Sequence, residues 1–310
     1  MLKKILSFIS ALLMTSILTF LLTKFSSENP AENYLRISRI AITPEALKQA
    51  NEYLGLDKSW AEQYFIWMQK ALVGDLGVSY LWKVPVFPLV IDAFLSTLFL
   101  GAVSFFLIVV ISLPLGIISG IYKDSLVDRV VQFFSFASVS MPTFWLGYLF
   151  ILFFAVHLKW VPVSGKEGVS SVLLPSLTLS LSLIGQYTAL VRKAISEQMN
   201  SIHVENALLR GVKPSFIIKH HLLPNALPAL ATGLSLTCVY LLTGSLIIEE
   251  VFAWNGIGSV FVHALQAVDI PVIQACMLLF GSLFLINNLI NQYLTGWIDP
   301  RVRKAGKEIK

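Results

Sequence analysis

The residues best suited to act on a partner are Glu205-Asn206-Ala207-Leu208-Leu209-Arg210-Gly211, followed thirteen residues later by Pro224. They set a carboxylate and a guanidinium on a short polar run inside a chain that is 56% hydrophobic. The spacing predicts a short helix from Glu205 to Arg210, ended at Gly211 because glycine takes a left-handed cap without steric cost. Pro214 suits the first turn of a second short helix, and Ile217, Ile218 and Leu222 give that helix one apolar edge. A helix–turn–helix with apolar and basic faces at a membrane surface is suited to seat in a groove on a soluble partner. The bland reading is an ordinary loop between two spanning helices.

Nothing else has the spacing of a reacting group. No Gly-x-x-x-x-Gly-Lys-Ser/Thr phosphate loop occurs, so the chain does not hold ATP in that way; His-Glu-x-x-His and Gly-x-Ser-x-Gly are also missing. The histidines are His157, His203, His220, His221 and His263. None pairs with another at i, i+4 on one predicted helix, and adjacent His220 and His221 point to different sides. His157 and His263 fall near the outer ends of apolar stretches, where a lone histidine is far more often ordinary than a ligand. Cys238 and Cys276 lie inside apolar stretches and read as small buried residues, not as a disulfide or metal pair. No catalytic residue, metal-ligand set or cofactor is therefore expected, and an enzyme reading has no positive support.

The elements that must position the loop are membrane helices. Charged residues make up 13% of the 310, about half the ~25% of soluble domains. Six stretches free of Asp, Glu, Lys and Arg exceed the ~18–20 residues that a spanning helix needs: 5–23, 93–122, 130–158, 168–191, 220–248 and 270–298. A glycine-broken neutral stretch, 251–268, reads as a loop with a short or re-entrant helix. The basic start of the first stretch would also suit a signal peptide. No small-x-small cleavage site follows, and Lys24-Phe25 stands in its place, so a retained helix is expected. With the N-terminus inside, the cytoplasmic pieces hold fourteen Lys and Arg residues, against Lys159 and Lys166 in the short outside loops. The net charge of +5 therefore reports topology, with both termini and the Glu205 loop in the cytoplasm, and does not indicate nucleic acid.

The expected organisation is a first spanning helix (1–23), an extracytoplasmic segment with amphipathic helices (24–92), and a five-helix core (93–310) that includes the cytoplasmic loop 200–228. In the extracytoplasmic segment, Thr43-Pro44 starts one helix and Ser59-x-x-Glu62 forms a capping box for another. After the box, Trp60, Tyr64, Trp67 and Met68 recur at helical spacing, and Gly74 can close the helix. That face suits either the bilayer interface or a substrate-delivering protein. Pro114, Pro142, Pro175, Pro224 and Pro228 sit at membrane depth or at its edge, where freed backbone must lie against protein or a watery cavity. Gly116-x-x-x-Gly120 permits close helix approach. The polar residues of the spans (Gln186, Asn287, Asn288, Asn291 and Gln292) suit a path lining and helix-to-helix bonds equally. No ionisable residue is central in a span, which argues against an ion-driven carrier.

Glu205-x-Ala207, then Gly211, then Leu223-Pro224 resembles the coupling loop of ABC-importer membrane subunits, with Asn206 and His221 departing from its pattern. Gly74-Asp75-Leu76-Gly77-Val78-Ser79, the run Ser140 to Gly147, the run Leu174 to Leu179, and Ile248 to Gly258 are similar to blocks of dipeptide, oligopeptide and nickel importer permeases. Asp269 to Gln274 and the terminal Asp299-Pro300-Arg301-Val302-Arg303 continue the series in family order. Asn255 stands at a usual proline, and Gln292 where many relatives carry an aspartate. Asn29 to Arg36, Thr43 to Asp57 and Leu158 to Pro162 look most like the nickel or metallophore branch.

The resemblance implies an all-α, polytopic type I importer permease with six transmembrane helices in a bacterial cytoplasmic membrane. Its implied partners are a second homologous permease, two ATP-binding subunits, an extracytoplasmic substrate-binding protein and membrane lipid. Its implied cargo is nickel or another transition metal as a chelate or metallophore complex, with a dipeptide or oligopeptide as the alternative. It implies that Glu205 and Arg210 orient the coupling loop by charge and that Ala207 fits a tight contact. Gly211 would make the turn, and Leu223-Pro224 would fix the start of the next span.

Overall fold

A computed structural model of the chain describes residues 2–25, 29–163, 165 and 169–298. Lys166, the start of the predicted span at 168 and the terminal block 299–303 lie outside the described residues. The described residues are helical apart from connecting loops and one isolated bridge between Val78 and Pro85. They pack as two compact units, Met1–Thr97 with Asn255–Ile286, and Leu98–Trp254 with Asn287–Lys310.

The first unit contains α1 (Leu2–Lys24), α2 (Pro30–Ile37), α3 (Pro44–Leu54) and α4 (Trp60–Leu72). Both predicted start signals, at Thr43 and Ser59, are used, and Asn29 adds a third. Asn29 and Thr43 cap α2 and α3 with a proline in each first turn. Ser59 and Glu62 form the reciprocal capping box of α4, and the Ser59 hydroxyl and N–H hold the Glu62 carboxyl below its ordinary value. Part of the aromatic spacing of α4 is used within this unit: Tyr64 and Trp67 pack on Phe20 of α1, and the Tyr64 hydroxyl lies 2.8 Å from Ser16 Oγ, while Trp60 and Phe65 stay exposed. Within this unit α1 and the last helix, α13 (Ile270–Ile298), run antiparallel, since Gln274 donates to Thr23 while Gly281 faces Thr15. The neutral stretch 251–268 forms the ten-residue helix α12 (Ile257–Gln266).

In the second unit, α5 (Val86–Ile121, entering from the first unit) and α8 (Leu173–Met199) lie side by side. Ser104 Oγ donates to the carbonyl of Ser176 and Ser112 Oγ to that of Ile184. A Cβ on Gly116 would come within 2.5 Å of Val191 Cβ, and one on Gly120 within 2.8 Å of Ile195 Cβ. Partner numbers rise together, so α5 and α8 are parallel. The chain between them must return through the same thickness, which makes six passages from five long spans and one bent pair. That pair is a correction to the continuous helix expected over 130–158: α6 (Leu126–Ser140) and α7 (Thr143–Phe150, then a π-helical stretch Ile151–His157) meet at 99°. Met141 and Pro142 are extended at the joint, because proline lacks the N–H and excludes the residue before it from helical geometry.

α8 is the hub. Its most apolar stretch is 67% buried, against 22–33% for those of the other long spans. α11 (Leu223–Val251) packs antiparallel on it: the Tyr187 hydroxyl donates to the Leu230 carbonyl, Gly233 abuts Leu190, and Gly244 faces Leu179.

Candidate functional site

Between the ends of α8 and α11 lie α9 (Ile202–Leu209), α10 (Pro214–Ile217) and a π-helical turn, Ile218–Leu222. The turn after α9 closes as two nested bonds. Gly211 N–H donates to the Leu208 carbonyl at 2.9 Å and Val212 N–H to the Ala207 carbonyl at 3.1 Å, with Gly211 at φ +70°. This is a Schellman cap, and glycine fills the left-handed position because a Cβ there strains the backbone. Pro214 occupies the first turn of α10, as the sequence predicts.

One face of this segment is packed inward. Val204, Ala207, Ile217, Leu222 and Ala226 are buried in one apolar cluster with Val191, Ala194 and Ile195 of α8. The apolar edge read from the sequence therefore faces the chain's own core, with Ile217 and Leu222 at 2% and 0% exposure. The outward apolar residues are Ile202, Leu208, Leu209 and Phe216, with Leu209 80% exposed. No local pattern distinguishes the two edges, because both are apolar.

The predicted site residues divide accordingly. Ala207 is buried and Leu223 half-buried against the same cluster, while Pro224 sits exposed in the first turn of α11. Glu205 and Arg210 are exposed on opposite ends of α9, and neither is ion-paired among the described residues. Gly211 is exposed between them and Pro214.

One charged group near the end of α8 was missed. Arg192, counted in the sequence only as a basic residue, grips Asp128 with Nε and Nη2 at 2.6 and 2.7 Å. Asp128 is fully buried and also accepts from the Ser119 hydroxyl and from Asp124 N–H at 2.8 Å. A bidentate guanidinium with two further donors satisfies the carboxylate. It ties the ends of α5 and α8 to the start of α6, seven residues before α8 ends. Ser125-x-x-Asp128, an N-cap pattern at the start of α6, was the legible signal.

Among the described residues no three or more His, Cys, Asp or Glu side chains are grouped so as to hold a metal ion. His263 bonds to the Ser259 carbonyl one turn back, and His157 stacks on Phe153. Of the span polar residues, Asn287 accepts from Ser235, and Gln186 and Asn288 are exposed.

Two family descriptions match nearly the whole chain: the binding-protein-dependent transport system inner membrane component over residues 112–304, and the N-terminal membrane component of such systems over residues 1–101. The metal-staphylopine import system permease protein CntB of Staphylococcus aureus is 30% identical over 307 residues, covering 99% of this chain and 98% of that protein. The glutathione transport system permease protein GsiC of Escherichia coli is 31% identical over 305 residues, covering 97% of each. Among solved structures, the inward-facing MetNI methionine ABC transporter superposes with a TM-score of 0.56 at 21% identity, covering 68% of this chain and 96% of that one. That likeness establishes a shared fold.

Proposed function

The chain belongs to the inner membrane component family of binding-protein-dependent transport systems, and from that premise we propose that it passes a transition metal, as a chelate or metallophore complex, through a bacterial cytoplasmic membrane. Membership makes it a multi-pass, non-catalytic permease subunit of an ABC importer, working with ATPase and substrate-binding partners. In our reading those partners are a second homologous permease, two ATP-binding subunits and an extracytoplasmic binding protein.

The observation that carries the mechanism is the two-faced segment between α8 and α11. Its inner face shares the core of both helices, so a push on the segment moves α8 and α11 as packed bodies. Its outer face presents Leu208, Leu209 and Phe216 with the unpaired charges of Glu205 and Arg210 nearby. An apolar knob with flanking charges suits a groove on an ATPase: the apolar residues supply affinity and the charges supply register. Closure of the ATPase pair would shift the balance between two permease states, which requires the partner to bind those states differently.

The metal reading is supported by the likeness to a metal-staphylopine permease along 99% of the chain and by the extracytoplasmic blocks from Asn29 to Asp57. A chelate brings its own ligands, so the path needs shape and polarity and no ligand cage. The second reading, a peptide permease, is favoured by the equal likeness to a glutathione permease. Elemental analysis of cells with and without the gene, grown in metal-poor medium, separates the two when run beside a toxic-dipeptide sensitivity assay. We expect loss of nickel, cobalt or zinc accumulation with unchanged peptide sensitivity. Unchanged metals with acquired peptide resistance would establish the peptide reading instead.

A further inference from the structure

We propose that His203 and His221, with the carboxamide oxygen of Asn225, form a regulatory site for a divalent transition-metal ion on the cytoplasmic segment between α8 and α11. The three residues come from three elements: α9, the π-helical turn and the first turn of α11. The imidazole centroids of His203 and His221 are 6.0 Å apart, and His203 Nε2 lies 3.2 Å from Asn225 Nδ2. His203 and Asn225 are exposed and His221 is half-buried, so an ion reaches the gap from water.

The hydrogen bonds fix which atoms face that gap. Asn225 Nδ2 donates to the His221 carbonyl at 2.8 Å, which identifies it as the amide nitrogen. Toward His203 it therefore presents its second N–H, and His203 Nε2 accepts. The Ser201 hydroxyl, 3.3 Å from the same Nε2, gives its proton to the Gln198 carbonyl. A lone pair of His203 is thus aimed at Asn225, four residues beyond His221 in the chain. To offer its carbonyl oxygen as a third donor, the Asn225 amide must rotate and give up its bond to the His221 carbonyl, which the bond to the metal would replace.

Two imidazoles on one ion, each with a metal–nitrogen bond of about 2.0–2.1 Å, place their ring centroids roughly 5 Å apart at a tetrahedral angle. The observed gap is wider by about 1 Å, within the reach of a rotamer adjustment. Neutral nitrogen donors without a carboxylate favour nickel, copper or zinc over magnesium or calcium. His220 belongs to a different arrangement: its ring stacks on Phe216 at 4.1 Å and its Nδ1 meets the Phe216 carbonyl.

Bound metal would staple the helix before Gly211 to the turn after it. If that segment contacts the ATPases, as the proposed function holds, the staple restrains the moving part and slows turnover when cytoplasmic metal is high.

The test uses the full-length chain, purified without a histidine tag and held in nanodiscs. Copper(II) titration followed by electron paramagnetic resonance should show one saturable site with two imidazole nitrogens, for which nickel or zinc competes only in large excess because copper(II) binds such donors more tightly. Affinity should fall at least tenfold in His203→Gln and His221→Gln and stay unchanged in His220→Gln, with gel-filtration profiles confirming that all three are folded. Absence of a saturable site, or unchanged binding in the His203→Gln/His221→Gln double variant, overturns the site. In the assembled importer, micromolar nickel on the cytoplasmic face should slow ATP turnover of the wild type several-fold and leave the double variant unmoved. Metal binding with equal turnover in both would overturn the regulatory role alone. Because the resonance experiment does not depend on ATPase contact, failure of the site and failure of the coupling reading are told apart.

Discussion

At Gly211 an added Cβ would meet nothing within 4 Å, so the demand for glycine is conformational and not steric. Asn and Asp tolerate the left-handed region better than other side chains, which lets charge be separated from backbone geometry. We predict that Gly211→Asn retains most uptake, whereas Gly211→Asp abolishes it with membrane insertion and substrate capture intact. Uptake assays beside immunodetection check this, and normal transport by the Asp variant would remove this face from the ATPase contact. Asp128 makes a different argument. Removing its charge strands the Arg192 guanidinium in a site where 20% of that side chain is exposed, and breaking one half of such a pair costs about 3 kcal/mol. Asp128→Asn should therefore lower the thermal unfolding midpoint of the purified protein. The exchanged pair, Asp128→Arg with Arg192→Asp, should recover only part of the loss, because it sets a cation in the first turn of α6 against the helix dipole.

Among the helices, the α5–α8 contact decides how closely the hub can be approached. Gly116 and Gly120 occupy one face of α5 one turn apart, and each would drive a Cβ into a β-branched residue of α8. Gly116→Leu or Gly120→Leu should push the helices apart, at a cost of about 1–3 kcal/mol or more. We expect a clear loss of heat resistance of the solubilised protein and reduced uptake. Gly101→Ala, on the same helix with nothing within 4 Å of the new Cβ, should leave both unchanged. Equal effects at the three glycines would show that helix propensity, and not packing, sets the outcome. α6 and α7 illustrate the opposite case, in which a proline set at the joint divides one apolar stretch into two helices.

For the whole molecule, family membership makes the chain a non-catalytic permease subunit of an ABC importer. On the proposed reading the two-faced segment relays a push that an ATPase partner supplies. The purified chain in liposomes, with ATP enclosed, should move neither metal chelate nor peptide. Addition of its ATPase and permease partners and the binding protein should restore uptake. Transport by the chain alone would mark it as a carrier or channel.

Much of this was written in the one-dimensional pattern. Apolar runs set the spans because a bilayer's thickness fixes their length. Ser59, Glu62, Thr43, Gly211 and Pro214 set helix ends because capping depends on residues three or four apart. Charge-free runs marked where the membrane lies and not where helices end, so α5 began at Val86, seven residues before the predicted span, and passed through Asp92. What the sequence alone left undecided were relations between distant residues. Whether Ile217 and Leu222 or Leu209 and Phe216 faced outward depended on which edge met α8. The pairing of Arg192 with Asp128 required helices remote along the chain to be set side by side, and the approach of His203 to His221 required the segment between α8 and α11 to fold back on itself. Local spacing determines a helix and its caps. Tertiary packing alone decides which face is buried, because that choice depends on the surface the rest of the chain offers.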